Sequence, residues 1–154
     1  IKSVVELYLK PIRTMSQGTR AQKSSRIPVL SSDAESKIFF NVEDLYQFHR
    51  SLQVSLEACI STWPACDPSS VLLRKLRTMC ALYDSFAVSL HIAETELTAR
   101  SAKDPVMAGY LEEMGLLHQR KGYPTLKSLL QAPAKHLYEY GICCKELLFN
   151  TPQT

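Results

Sequence analysis

A chain of 154 residues, 45% hydrophobic and 21% charged, has room for one domain with a real core and too little for two. Its 18 basic and 15 acidic residues are interspersed and sum to a formal +3, a mild balance that gives no reason to invoke nucleic acid or an anionic membrane. No apolar run approaches the ~20 residues of a membrane-spanning helix, so direct membrane insertion is not expected.

The recurring signal along the chain is a 4-3 spacing of apolar residues. The first helix carries Ile1, Val5, Tyr8, Ile12 and Met15, and opens without a secretory signal. A polar segment from Ser16 to Ser32, with Gly18, Pro28 and several serines, reads as a loop. Ser32 or Asp33 is placed to cap a second helix with Glu35 in its first turn. That helix carries Ile38, Val42, Leu45, His49, Leu52, Leu56, Cys59 and Trp63, and Pro64 stops it, giving an expected span of Asp33–Trp63.

After the turn at 64–68, a third helix over Ser69–Arg100 carries Leu72, Leu76, Met79, Tyr83, Phe86, Leu90, Ala93 and Leu97. A second stripe, Leu73, Cys80 and Ala87, widens its apolar face and argues for a central place in the bundle. Asp104-Pro105 starts a shorter helix with Met107, Leu111, Met114 and Leu117, which ends at Gly122-Tyr123-Pro124. The last helix spans Thr125–Phe149 on a beat of Leu126, Leu130, Pro133, Leu137, Tyr140, Cys144 and Leu147. Proline inside a helix costs about 3 kcal/mol, so a kink at Pro133 is expected to serve some end. No segment alternates as a half-buried strand does, and the pattern predicts an all-α, elongated helical bundle in which Leu76, Phe86 and Leu137 are buried.

Side chains that could carry chemistry are few. His49 lies on a seam between Leu45 and Leu52, the place of a packed, hydrogen-bonded histidine rather than of a ligand or switch. Four scattered histidines and five cysteines show no zinc spacing, so no metal is expected. The cysteine count is odd, Cys59 and Cys80 fall on apolar faces, and Cys144 lies on the last seam; reduced core thiols in the cytoplasm are the expected reading. There is no Gly-rich phosphate loop, nucleophile elbow or paired-carboxylate motif, and Glu112-Glu113 reads as a solvated face. Lys127, Lys135 and Lys145, near Glu139 and Glu146, suit a solubilising surface and a mixed-charge partner surface equally well.

The stretch Leu129-Leu130-Gln131-Ala132-Pro133-Ala134-Lys135-His136-Leu137-Tyr138-Glu139-Tyr140, running through Lys145-Glu146-Leu147-Leu148 to Thr151-Pro152, resembles the third signature block of the Dbl-homology (RhoGEF) domain. There a leucine pair precedes a Lys-Pro-Val-Gln-Arg-like core and a Tyr-x-Leu-Leu-Leu-Lys-Glu-Leu-like run. Val4 to Ile12, containing Leu9-Lys10-Pro11-Ile12, is similar to the end of the first block. Ile38-Phe39-Phe40-Asn41-Val42, with His49 beyond, is similar to the family's second helix, whose histidine is structural. Tyr83 to Phe86, and Met107 with Tyr110-Leu111, match more loosely. The blocks stand in family order over nearly the whole chain.

The resemblance implies a guanine-nucleotide exchange factor for Rho-family small GTPases, which binds the switch regions and promotes nucleotide release without covalent chemistry or a cofactor. It also implies a pleckstrin-homology domain after this one in the full-length protein. Carried over by position, Lys135, His136, Glu139 and Lys145 on the last helix and Glu6 near the first block are the expected GTPase-facing residues. The family's early acidic contact would precede Ile1 and its final helix would follow Thr154, so residues 1–154 read as a domain truncated at both ends. Within the block, Ala132 stands where the family has lysine, His136 where it has arginine, and Glu139 where many members have a basic residue. These departures leave a non-catalytic scaffold of the same fold as an alternative to active exchange, and because helical seams are common an unrelated helical adaptor is a third.

Overall fold

The computed structural model describes residues 1–17, 30–120, 122 and 124–150, and among them every regular element is a helix. The chain enters through α1 (Lys2–Val4), a π-helical stretch (Val5–Leu9) and α2 (Lys10–Gln17). It continues as α3 (Ser32–Phe39), α4 (Val42–Ser61), α5 (Pro68–Lys103), α6 (Pro105–Arg120) and α7 (Leu126–Asn150). The expected all-α bundle is the fold; the segment 18–29, most of the expected first loop, lies outside the described residues.

Local chemistry explains most of the boundaries. Pro11 has no N–H to give the Leu7 carbonyl four residues back, and the Tyr110 hydroxyl of α6 donates to that carbonyl at 3.3 Å. The π-helical widening just before it lets the Lys10 N–H reach the Val5 carbonyl. Ser31 caps α3, its Oγ accepting from the Ala34 N–H at 3.3 Å, one residue earlier than the sequence suggested. Asp67 caps α5 through the Ser69 N–H at 3.0 Å, with Pro68 opening the helix. Asp104 does the same for α6 through the Val106 N–H at 2.9 Å.

The expected single helix Asp33–Trp63 is two helices. Phe40 takes φ 28°, a region unfavourable for a residue with a Cβ, and splits α3 from α4. Tertiary contacts hold it there: the Phe40 ring lies 5.2 Å from that of Phe86, and Asn41 Nδ2 donates to the Leu82 carbonyl of α5 at 2.8 Å. At its far end α4 stops at Ser61, and Trp63 is exposed in the turn rather than on the seam.

The core is widest where both chain-entry helices and the start of α7 meet. Val4, Val5, Tyr8, Leu9 and Ile12 pack there with Ala34, Ile38, Phe39, Leu97, Met107, Tyr110, Leu126 and Leu130. Arg13 braces that end from outside: its Nε donates to Glu35 at 2.8 Å and its two terminal nitrogens to Glu43 at 3.1 and 2.9 Å. Both carboxylates hold the guanidinium pKa above its ordinary value, Glu43 more than Glu35. Toward the other end the core narrows to α4 against α5, through Leu45, Phe48, Leu52, Val71, Tyr83 and Phe86.

Several burial expectations fail for one geometric reason. On α5 the buried stripe is Val71, Tyr83, Phe86, Ala93 and Leu97, with Met79 and Leu90 partly buried. At ~100° per residue Leu76 falls at the stripe's edge and is exposed, unlike the buried residue expected. Leu73, Cys80 and Ala87 lie further round and are exposed, so they do not widen a packing face. Phe86 is fully buried, as the periodicity required. The cysteine expectation is also corrected. The α4–α5 turn brings the Cys66 Cα to 5.1 Å from that of Cys59 and the two form a disulfide, while Cys80, Cys143 and Cys144 are free but exposed instead of core thiols.

Candidate functional site

Helix α7 runs through Pro133 without ending, as the sequence pattern predicted. Up to the proline it is held firmly. Leu126, Leu129, Leu130 and Pro133 are buried, and Gln131 Nε2 donates to Glu94 Oε1 of α5 at 2.6 Å. Beyond it the helix runs along the outside of the bundle. Every residue from Ala134 to Asn150 is exposed except Tyr140, which is half-buried. Leu137 is therefore exposed, contrary to expectation, and Leu147 does not share the burial of Leu126.

The residues expected to face a partner lie on this outer segment. Lys135, His136, Glu139 and Lys145 are all exposed. The fold joins two of them directly, with His136 Nδ1 and Glu139 Oε2 2.7 Å apart across one helical turn. Lys135 and Lys145 share the helix but make no ion pair among the described residues. Glu6 is exposed on the π-helical stretch and pairs with Lys10 at 3.4 Å. No contact connects it with the α7 group among the described residues, so the five positions do not form one cluster.

An open groove of about 460 Å³ lies between the start of the chain, α4 and α7, with Lys2, Tyr46, His49, Arg50, His136 and Tyr140 among its walls. His49 is the hydrogen-bonded packed histidine its seam position implied. Its Nε2 lies 2.9 Å from the Tyr83 hydroxyl of α5 and its Nδ1 3.0 Å from the Tyr140 hydroxyl of α7. The Tyr140 ring stacks on the imidazole at 5.8 Å and 12°. Burial lowers the His49 pKa, with a smaller contribution from His136, which favours the neutral imidazole. Burial also raises the phenols, Tyr83 to about 12 and Tyr140 upward. Both hydroxyls stay protonated, so each can donate or accept.

Sequence reasoning missed Tyr83 and Tyr140 as partners of His49. Both were read as seam residues within family-like blocks; the cue was the hydroxyl each carries on an otherwise apolar seam. Among the described residues no group of three or more His, Cys, Asp or Glu could hold a metal ion. None of the described helices is long and apolar enough to cross a membrane. The outer half of α7 thus presents a mixed-charge, partly apolar helix face.

The RhoGEF domain family model matches residues 1–154. The human breakpoint cluster region protein is 25% identical over an alignment of 170 residues, covering 97% of this chain and 12% of that protein. Mouse Rho guanine nucleotide exchange factor 17 is 22% identical over 151 residues, covering 95% of this chain and 7% of that protein. The apo structure of the activated truncation of Vav1 superposes with a TM-score of 0.81 at 21% identity, covering 99% of this chain and 35% of that one, a likeness of fold. The chain thus spans a small part of the length of the curated relatives it matches.

Proposed function

This chain belongs to the RhoGEF domain family, and from that premise we propose that it acts as a guanine-nucleotide exchange factor for a Rho-family small GTPase. The observation that carries the reading is the family match over residues 1–154. The exposed outer half of α7 supports it, since a recognition surface must be free of the domain's own core. Exchange of this kind is a coupling between two ligands. The domain binds the GTPase switch regions best when nucleotide is absent, so it lowers nucleotide affinity by the same factor that nucleotide lowers its own. No covalent bond is made or broken. Lys135, His136, Glu139 and Lys145 are the proposed contact residues, with Glu6 a peripheral one. A pleckstrin-homology domain is the proposed neighbour in the full-length protein. The proposed setting is the cytoplasm, where reducing thiol pools would open the Cys59–Cys66 pair.

A second reading is favoured by one specific observation. Glu139 puts an acid at the centre of the proposed contact face, already engaged by His136. Acid against the acidic groups of a switch region weakens association, which suits a scaffold that binds without exchange. Fluorescent-nucleotide release from a panel of Rho-family GTPases, with the complete domain, separates the two. Acceleration on any member supports the exchange factor; binding without acceleration leaves the scaffold.

A further inference from the structure

Beyond Pro133, α7 has little to hold it, yet any partner reading this face needs it held still. Tyr140 is the half-buried residue of that segment, and its hydroxyl meets His49 Nδ1 at 3.0 Å while its ring stacks on the imidazole. His49 in turn meets the Tyr83 hydroxyl at 2.9 Å. Tyr83 is buried against Phe86 and Leu45, in the solid part of the α4–α5 packing. A chain of two hydrogen bonds therefore runs from the exposed helix, through α4, into the core of α5.

We propose that His49, gripped between Tyr83 and Tyr140, is a positioning residue that sets the rotation and lateral placement of α7 beyond Pro133, and with them the aim of His136 and Glu139. The proposal rests on the exchange reading for its functional consequence. The lever is short. His136 lies one turn before Tyr140 on the same side of the helix, and Glu139 is its immediate neighbour, so a roll at Tyr140 moves both. The His136–Glu139 contact moves with them.

The imidazole suits this post better than an apolar side chain. When neutral it presents one N–H and one bare nitrogen, so one phenol accepts while the other donates. Both links are then made at fixed geometry with no unsatisfied partner. Leucine would fill the space but leave two phenols without a fixed orientation. Glutamine keeps one donor and one acceptor and is the conservative replacement.

The test uses the complete protein and three variants, Tyr140→Phe, His49→Leu and His49→Gln. Amide hydrogen exchange reads the clamp without any GTPase. Tyr140→Phe and His49→Leu should speed exchange about tenfold over residues 134–148, the scale of one lost hydrogen bond, and leave 126–131 unchanged. On a GTPase that wild type accelerates, the same variants should lower kcat about tenfold while remaining folded at the assay temperature, and His49→Gln should recover most of the loss. Unchanged protection beyond Pro133 overturns the clamp. Lost protection with an unchanged exchange rate overturns the positioning role. If wild type accelerates no GTPase, the exchange reading falls and takes the positioning role with it, a result distinct from an active wild type whose variants behave like it.

Discussion

The two halves of α7 are built from similar residues and meet opposite fates. Leu126, Leu129 and Leu130, before Pro133, are 3%, 7% and 0% exposed; Leu137, Leu147 and Leu148, after it, are 43%, 44% and 70% exposed. Both halves keep the same apolar beat. The difference lies across the interface: the first half meets Val4, Val5, Leu9, Met107 and Tyr110, whereas the second meets the bundle chiefly through Tyr140. An apolar stripe states which face of a helix would bury itself, not whether another element is there to cover it.

The contrast can be broken most decisively by truncation in the covered region. Leu130→Ala and Phe86→Ala each remove a fully buried side chain, and each should lower stability by about 3–5 kcal/mol in denaturant titration. A loss under about 1 kcal/mol at either site would mean the packing is misassigned.

Acid should act on the His49 contact that holds the outer half of α7. Burial, then His136, holds the native His49 pKa below the 6.5 of the free side chain. The unfolded chain therefore binds the proton first, and stability should fall as pH drops below 6.5 toward the lower native value. Lys2 and Arg50 line the same groove, and Glu139 pairs with His136 at its edge. Unfolding free energies at about pH 7.5 and about pH 5.5 should differ more for wild type than for His49→Gln. Equal differences would remove His49 from the account.

On the exposed half the expected effects are on partners rather than on the fold. Glu139→Lys should change stability by no more than about 0.5 kcal/mol and should raise binding or exchange on at least one Rho-family GTPase, with the gain shrinking at high salt. A variant that folds normally and alters neither on any panel member would make Glu139 ordinary surface. Smallest of all, Leu148→Ala should leave the melting temperature almost unchanged, a shift of about 0.5 kcal/mol or less. A core-sized loss there would show that the distal helix is covered after all.

Much of this molecule was legible in local patterns. Asp67-Pro68 and Asp104-Pro105 announce their helices because a carboxylate cap and an N-terminal proline act within a few residues. The apolar seam from Met79 to Leu97 was read correctly, as was the unbroken passage of α7 through Pro133. Lys135, His136 and Glu139, expected from their places in a signature block, lie on the exposed outer face of α7.

What the sequence determined, then, was helix content and most boundaries, set by contacts within a few turns of chain. Tertiary structure decided the rest. The break at Phe40 depends on Phe86 and on the Leu82 carbonyl, more than forty positions along the chain, and no local rule places a positive φ at a phenylalanine. The Cys59–Cys66 bond depends on how the α4–α5 turn closes. The His49–Tyr83–Tyr140 chain joins residues 34 and 91 apart in sequence. Apolar periodicity is a property of one helix, but burial and hydrogen bonding are properties of two, so only the packed bundle could separate the Leu130 that is core from the Leu148 that is surface.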